Sequence, residues 1–324
     1  FNALALMDKQ GNVLRKLPKV HNSYSGYEWM MQQIKKAIAN HRFSKVLMGL
    51  EPTGHYWRKL AYKARSEQID VVFLKTTAVK FQRGLDQSSR AKSDIRDAIV
   101  LANLVRGGKY CETVVREDIY QQLRRMVKYR QRVLCNFSAA QNRLTAWLDD
   151  YFPQLQGLFS KVAAKGLRAL LRACPTPGEL RRIRCDDLTA ILARASRRKE
   201  QAQLKARRIR HAAAQGVGIA EVKGSDRVRL QLILDDLEHF ERRKKVIERQ
   251  IVTLLEETEY GAYLLSVKGI GAVTAAIFLA EMGDPRNFRC AKELISYSGL
   301  DPFESESGQV YGRKKISKQG RFLL

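Results

Sequence analysis

Two stretches of the chain place apolar residues at alternating spacings of three and four. One runs through Leu123, Val127, Arg130, Leu134, Phe137, Gln141, Leu144 and Leu148. The other runs through Leu230, Ile233, Leu237, Phe240, Lys244, Ile247, Ile251 and Leu254. This spacing draws one apolar stripe along an α-helix, and each stripe is roughly seven turns long. A stripe of that length must be covered. Two long helices pairing along their stripes therefore dominate the middle of the chain, about residues 112–257. Packing as a helix bundle and pairing as a dimerising coiled coil both satisfy the pattern. A break at Pro175-Thr176-Pro177 lies between the stripes. A strongly basic stretch follows it, with Arg197-Arg198-Lys199 and Arg207-Arg208-Ile209-Arg210.

The segment before these helices reads as α/β. Phe1–Met7 is short and apolar, Asp8–Asn12 is turn chemistry, and Val13–Val20 is a second strand. Tyr27, Met30, Met31, Ile34 and Ile38 give Tyr24–Asn40 helical spacing. Lys45–Leu50 and Ile69–Leu74 read as buried strands. Tyr56–Glu67 and Lys92–Val105 read as helices. An antiparallel pair followed by such alternation predicts one mixed sheet covered by helices.

Charge narrows the partners. The 324 residues hold 59 Lys and Arg against 33 Asp and Glu, a formal charge of +26. A chain this basic repels itself without a polyanion, and nucleic acid is the abundant one. An anionic membrane is the rival, but it calls for a basic amphipathic or lipidated segment, and neither is visible. The longest apolar runs, such as Ala272–Ala280, fall well short of the ~20 residues of a membrane span. The 5 cysteines are dispersed without a CxxC pair, which argues against zinc and fits reduced thiols in the cytosol.

From Tyr260 a third, small region begins. Leu264–Gly271 leads into Ala272–Met282 through Gly269-Ile270-Gly271. Two helices meeting at such a turn form a helix-hairpin-helix, whose backbone amides hold a phosphate, or a plain tight αα turn. Phe288–Tyr297 is a further helix, and Ser298-Gly299-Leu300-Asp301-Pro302 loosens the chain.

Three carboxylates stand out in so basic a chain. Glu51 ends the strand Val46–Leu50 and precedes Pro52-Thr53-Gly54, at the strand end where α/β sheets place their sites. Asp94 and Asp97, spaced i and i+3 in Lys92-Ser93-Asp94-Ile95-Arg96-Asp97-Ala98, share one helix face. Acids held together need a cation, and Mg²⁺ takes oxygen ligands. The alternative is helix-start acids that satisfy the dipole and pair with Arg90, Lys92 or Arg96. A second constellation is Glu304-Ser305-Glu306-Ser307-Gly308, followed by Gly312-Arg313-Lys314-Lys315-Ile316-Ser317-Lys318. A serine beside cations suits attack on a phosphodiester, and a flexible polar loop fits the same residues. The 5 histidines show no ligand spacing, although His55 lies close to Glu51 in sequence.

Taken in order, Leu50–Tyr56, Lys92–Ala98, Val267–Gly271, Ser298–Pro302, Glu306-Ser307-Gly308 and Ile316–Gly320 resemble one family along essentially the whole chain. The family is the DEDD transposases of bacterial insertion sequences, bridge-RNA-guided serine recombinases related to pilin-gene invertases. The resemblance implies three domains: a RuvC-like domain of RNase H fold over 1–110, a helical coiled-coil and basic domain over 111–257, and a small helical transposase domain over 258–324. It makes Glu51 the second acid and Asp94 and Asp97 the last two, with Mg²⁺ as cofactor. The first acid would lie on a strand ahead of Phe1, and both ends of the chain are expected to be trimmed. Ser307 matches the nucleophile, with Ser305 its nearest competitor. The implied partners are donor and target DNA, a structured guide RNA and further copies of the chain as a dimer or tetramer, with no membrane. The implied location is the cytoplasm, at the nucleoid. Nucleic-acid contacts are expected at Lys268, Gly269, Gly271, Arg197, Arg198, Arg207, Arg208, Arg210, Arg313, Lys314, Lys315 and Lys318. A RuvC-type metal-dependent junction nuclease is the alternative, and a non-catalytic nucleic-acid scaffold is a third reading.

Overall fold

The computed structural model describes residues 1–52, 54–86, 93–110, 118–195, 201–216, 218–219, 222–303, 306–307, 310–311, 315–316 and 320. They are mostly helical with small sheets. Contacts divide the chain into two compact units, Phe1–Arg116 and Glu117–Leu324.

In the first unit, β1 (Asn2–Met7) and β2 (Val13–Val20) form an antiparallel hairpin. The turn closes because Asp8 accepts 2.8 Å hydrogen bonds from both the amide and the side chain of Asn12. Helix α1 (Tyr24–His41) starts where the Ser23 hydroxyl accepts from the Gly26 amide, and ends at Arg42 in the left-handed region. Its Met30, Met31 and Ile34 bury against Leu17 and Val20 of β2. Next come β3 (Leu47–Leu50), α2 (Trp57–Ser66) and β4 (Asp70–Phe73). Strands β3 and β4 are parallel, with Leu47 beside Asp70 and Leu50 beside Phe73, so α2 is their crossover. Two helices follow, α3 (Thr76–Asp86) and α4 (Asp94–Arg106). Helix α4 packs on β1 and on β3. A side chain at Gly49 would run into Val105 of α4 and Leu74, so glycine permits this close approach.

The predicted single mixed sheet is corrected. Among the described residues there are two separate two-stranded sheets in this unit, β1–β2 and β3–β4. Among the described residues no strand joins β1 to β3 by backbone hydrogen bonds, and the two pairs share one hydrophobic core with α1 and α2. The antiparallel pairing of β1 with β2 was readable, while β3 and β4 are each two residues shorter than the expected Lys45–Leu50 and Ile69–Leu74.

The second unit is built on α5 (Ile119–Tyr151), capped by the Asp118 carboxylate on the Gln121 amide. A 3₁₀ turn and four shorter helices follow: α6 (Lys165–Ala173), α7 (Pro177–Arg182), α8 (Cys185–Ala195) and α9 (Ala202–Ala214). The Pro-Thr-Pro break separates α6 from α7. Thr176 and Glu179 close a capping box there, with Pro177 in the first turn. The second long helix is α10 (Gly224–Glu256). The two stripes pair with each other inside the chain, antiparallel, as the Arg130–Glu248 (2.7 Å) and Arg143–Asp236 (3.1 Å) ion pairs require. At one end Leu144, Trp147 and Leu148 join Leu230, Ile233 and Leu237 in a core shared with α6 to α9. At the other end Leu123 and Val127 join Ile251 and Leu255 against α12 (Ala272–Met282). Helix α11 (Gly261–Ser266) precedes α12. Helix α13 (Ala291–Ser298) follows a 3₁₀ turn and begins three residues later than the expected Phe288. Four two-residue strands close the unit: β5 (Pro302–Phe303), β6 (Glu306–Ser307), β7 (Val310–Tyr311) and β8 (Lys315–Ile316). Strand β5 pairs with β8, and β6 with β7, both antiparallel.

Candidate functional site

Glu51 follows the last residue of β3. Asp97 stands in the first turn of α4, where its amide donates to the Ser93 carbonyl at 3.0 Å. Both carboxylates meet one guanidinium, that of Arg83 on α3. Its Nε lies 2.9 Å from Asp97 Oδ1, and its Nη2 lies 3.7 Å from Glu51 Oε2. All three side chains are mostly buried, between 20% and 27% exposed. Asp94 begins α4, is exposed, and lines the same cleft of about 1760 Å³. The whole of β1 and β3 also lines that cleft.

So the structure brings Glu51 and Asp97 together and sets Asp94 at the edge of their cleft. Among the described residues no group of three His, Cys, Asp or Glu is close enough to hold a metal ion. What does fit Mg²⁺ is the donor chemistry. The pair offers carboxylate oxygens from two rigid elements, and a cation is already drawn between them. Of the partners expected for the α4 acids, Arg90 and Lys92 lie outside the described residues, and Asp97 pairs with Arg83, which was not among those expected. Sequence reasoning missed both Arg83 and α3. The signal is weak there: Val79 is the only described residue of Thr76–Asp86 in the buried core. His55 does not line the cleft. Its ring lies tilted against that of Tyr56, with centroids 4.3 Å apart, and Tyr56 is 61% exposed.

In the second unit the Gly-Ile-Gly turn joins α11 to α12. Gly269 adopts φ +96, and Gly271 caps α12 in extended geometry without a side-chain hydrogen bond. Lys268, Gly269 and Gly271 are all exposed. On α9, Arg207, Arg208 and Arg210 face solvent while Ile209 between them is fully buried. Ser307 lies in β6, its backbone paired with Val310. Lys315 lies in β8, paired with Phe303. Arg197, Arg198, Ser305, Arg313, Lys314 and Lys318 lie outside the described residues.

A family model for a DEDD transposase of the IS110 type matches residues 2–153, and a second, for a transposase of the IS116/IS110/IS902 family, matches residues 261–324. The chain belongs to the DEDD transposase family of insertion sequences. The first match contains Glu51, Asp94 and Asp97, and the second contains the Gly-Ile-Gly turn and Ser307. Among relatives, an insertion element IS116 uncharacterized 44.8 kDa protein from Streptomyces clavuligerus is 29% identical over 226 residues, 68% of this chain and 55% of the relative. An insertion element IS110 uncharacterized 43.6 kDa protein from Streptomyces coelicolor is 25% identical over 221 residues, 67% of this chain and 54% of the relative. The mini-circle putative transposase for IS117 from Streptomyces coelicolor is 24% identical over 333 aligned residues, 99% of this chain and 78% of the relative. The chain thus spans about half the length of the first two of these relatives. Among the described residues no helix is long and apolar enough to cross a membrane.

Proposed function

We propose that this chain is the recombinase of an insertion sequence, cutting and rejoining DNA through a covalent phosphoserine. The observation that carries the reading is the meeting of Glu51 and Asp97, from two separate elements, on one cation in a cleft that Asp94 also lines. Residues 1–110 act as the RuvC-like domain, 111–257 as the coiled-coil and basic domain, and 258–324 as the transposase domain with the serine. Glu51, Asp94 and Asp97 would hold Mg²⁺, which when bound supplies positive charge to a scissile phosphate.

Ser307 Oγ attacks phosphorus. The P–O bond to the 3′ oxygen breaks, and the serine proton ends on that oxygen as a 3′ hydroxyl. The 5′ phosphate remains on the serine. Attack by a 3′ hydroxyl of another strand reverses the step and releases Ser307, so no outside energy is needed for rejoining. Lys268 and the turn amides of Gly269 and Gly271 suit backbone phosphate. Arg207, Arg208 and Arg210 suit a polyanion without reading its bases, which is consistent with target choice by a guide RNA. Copies of the chain acting as a dimer or tetramer, in the cytoplasm at the nucleoid, complete this reading.

The test uses the protein with its co-purified RNA, Mg²⁺ and a nicked suicide DNA substrate. A denaturant-resistant protein–DNA adduct that disappears in Ser307→Ala supports the reading. An adduct that survives moves the nucleophile, with Ser305 next. Cleavage without an adduct favours the RuvC-type nuclease, in which water attacks. Asp97→Asn that binds nucleic acid but no longer cuts removes the scaffold reading.

A further inference from the structure

Arg83 stands between the two carboxylates. Its guanidinium spans Asp97 Oδ1 at 2.9 Å and Glu51 Oε2 at 3.7 Å. Its Nε is cut off from solvent, yet its approach to Asp97 is off line for a hydrogen bond. The contact is therefore one of charge more than of directed bonding, and such a contact is easily exchanged for another cation. Glu51 comes from the end of β3 and Asp97 from α4, and without a cation between them the two would repel.

We propose that Arg83 is the resident counter-ion of this carboxylate pair, and that a divalent cation loads the site by displacing it. This rests on the carboxylates being the metal site. Arg83 and the metal ion compete for the same oxygens and, being both positive, do not share them at close range. The arginine thereby keeps the acids together while the site is empty and sets the metal concentration at which it fills. A guanidinium moved off the carboxylates stays in the cleft to which the proposed function brings a phosphodiester, and its planar fork suits phosphate. Arg83 is on this account a positioning residue. The competing interpretation is an ordinary ion pair tying α3 to α4, which would affect folding stability but not metal loading.

Direct Mn²⁺ binding separates the two. Free Mn²⁺ is followed by electron paramagnetic resonance while it is titrated into the full chain, with no DNA present. Wild type, Arg83→Gln, Arg83→Lys and a charge control on exposed β2, Lys16→Gln, are compared. If the arginine holds the pair about nine-tenths of the time, Arg83→Gln fills at about tenfold lower Mn²⁺ than wild type. Arg83→Lys falls between them and Lys16→Gln matches wild type. Equal filling of wild type and Arg83→Gln, or a weaker site in the variant, overturns the proposal and leaves the carboxylate site standing. An equal gain in Lys16→Gln also overturns it, since general charge would then be the cause. Should Arg83→Gln fail to fold, Arg83→Lys decides by the same comparison. Mn²⁺ binding that is absent from both wild type and Arg83→Gln, or that Asp97→Asn leaves undiminished, overturns the metal reading of the acids and this proposal together, a result distinct from the others.

Discussion

Two residues show how local chemistry fixes the first unit. Gly49 lies two positions before Glu51, where a side chain would collide with Val105 and Leu74. Gly49→Ala should cost about 1–3 kcal/mol in urea unfolding, since the crowding is resolved only by moving α4. The same movement draws Asp97 away from Glu51, so the variant should lose metal binding beyond what its stability loss explains. Glu67 is the second case. Hydrogen bonds from Lys35 and then Lys63, together with their charge, outweigh the opposing effect of burial and hold its carboxyl down to about 2. A depressed carboxylate adds stability that is complete above its ordinary value of 4.5 and is lost as pH falls toward 2. Carbon-13 NMR should find Glu67 titrating near 2. A midpoint at the ordinary value would mean that Lys35 and Lys63 do not hold it in solution. Of these residues, Glu51 and Asp97 stood out in the sequence because acids are scarce in a chain of +26. Gly49 did not, because its reason lies with Val105, far along the chain. Nor did Arg83, one cation among 59.

At the level of elements, the long helices and their pairing were legible, but whether they pair within one chain was not. A stripe at alternating three and four is the same whether its partner is a second copy or another part of the same chain. Arg130 and Glu248, and Arg143 and Asp236, settle the pairing within one chain and its direction. Arg130→Glu should destabilise the pair, and adding Glu248→Arg should restore about 1 kcal/mol in a double-mutant cycle. No recovery would mean that the register differs in solution. Helix α6 is pinned to α10 by Arg168, only 4% exposed, with Glu241 at 2.6 Å. Burial alone would raise the Glu241 carboxyl, but the hydrogen bond and charge of Arg168, with Lys245 and Lys165, bring it below its ordinary value. Arg168→Ala strands that carboxylate. Glu241 is 32% exposed, so water recovers part of the loss and about 2 kcal/mol in urea unfolding is expected. Paired Glu241 stabilises above its ordinary value and less as pH falls through its lowered one. The gap between wild type and Arg168→Ala should therefore narrow in acid. A gap independent of pH would make the loss one of packing. The sheets follow the same lesson as the helices. The β1–β2 hairpin was legible because a short turn joins its strands, but nothing in the side-chain pattern says which edges join further, and among the described residues the expected single sheet is two pairs.

Over the whole molecule, the dominant fact is unbalanced positive charge. Several acids of the second unit are engaged in ion pairs between its helices: Glu248 by Arg130, Glu241 by Arg168, Asp235 and Glu238 by Arg172, and Glu281 by Arg124. They serve to hold helices together and do little to neutralise the exposed row on α9. Arg207, Arg208 and Arg210 keep their charge toward solvent because Ile209 anchors the helix from its other side. Such a row attracts phosphate without distinguishing sequence, and each phosphate it neutralises releases counterions from the nucleic acid. Replacing all three by alanine should weaken binding of unrelated DNA duplexes alike. The slope of log affinity against log salt should also shrink by about 0.9 for each duplex phosphate left without its arginine, so by between about 2 and 3 in all. Fluorescence anisotropy over a salt series, on labelled duplexes and on the co-purified RNA, measures both quantities. An unchanged slope on duplex DNA with a reduced slope on RNA would assign the row to the guide and leave DNA to the turn around Lys268. An unchanged slope on both would make the row a solvated helix face, and the excess charge would then have to act through residues elsewhere in the chain.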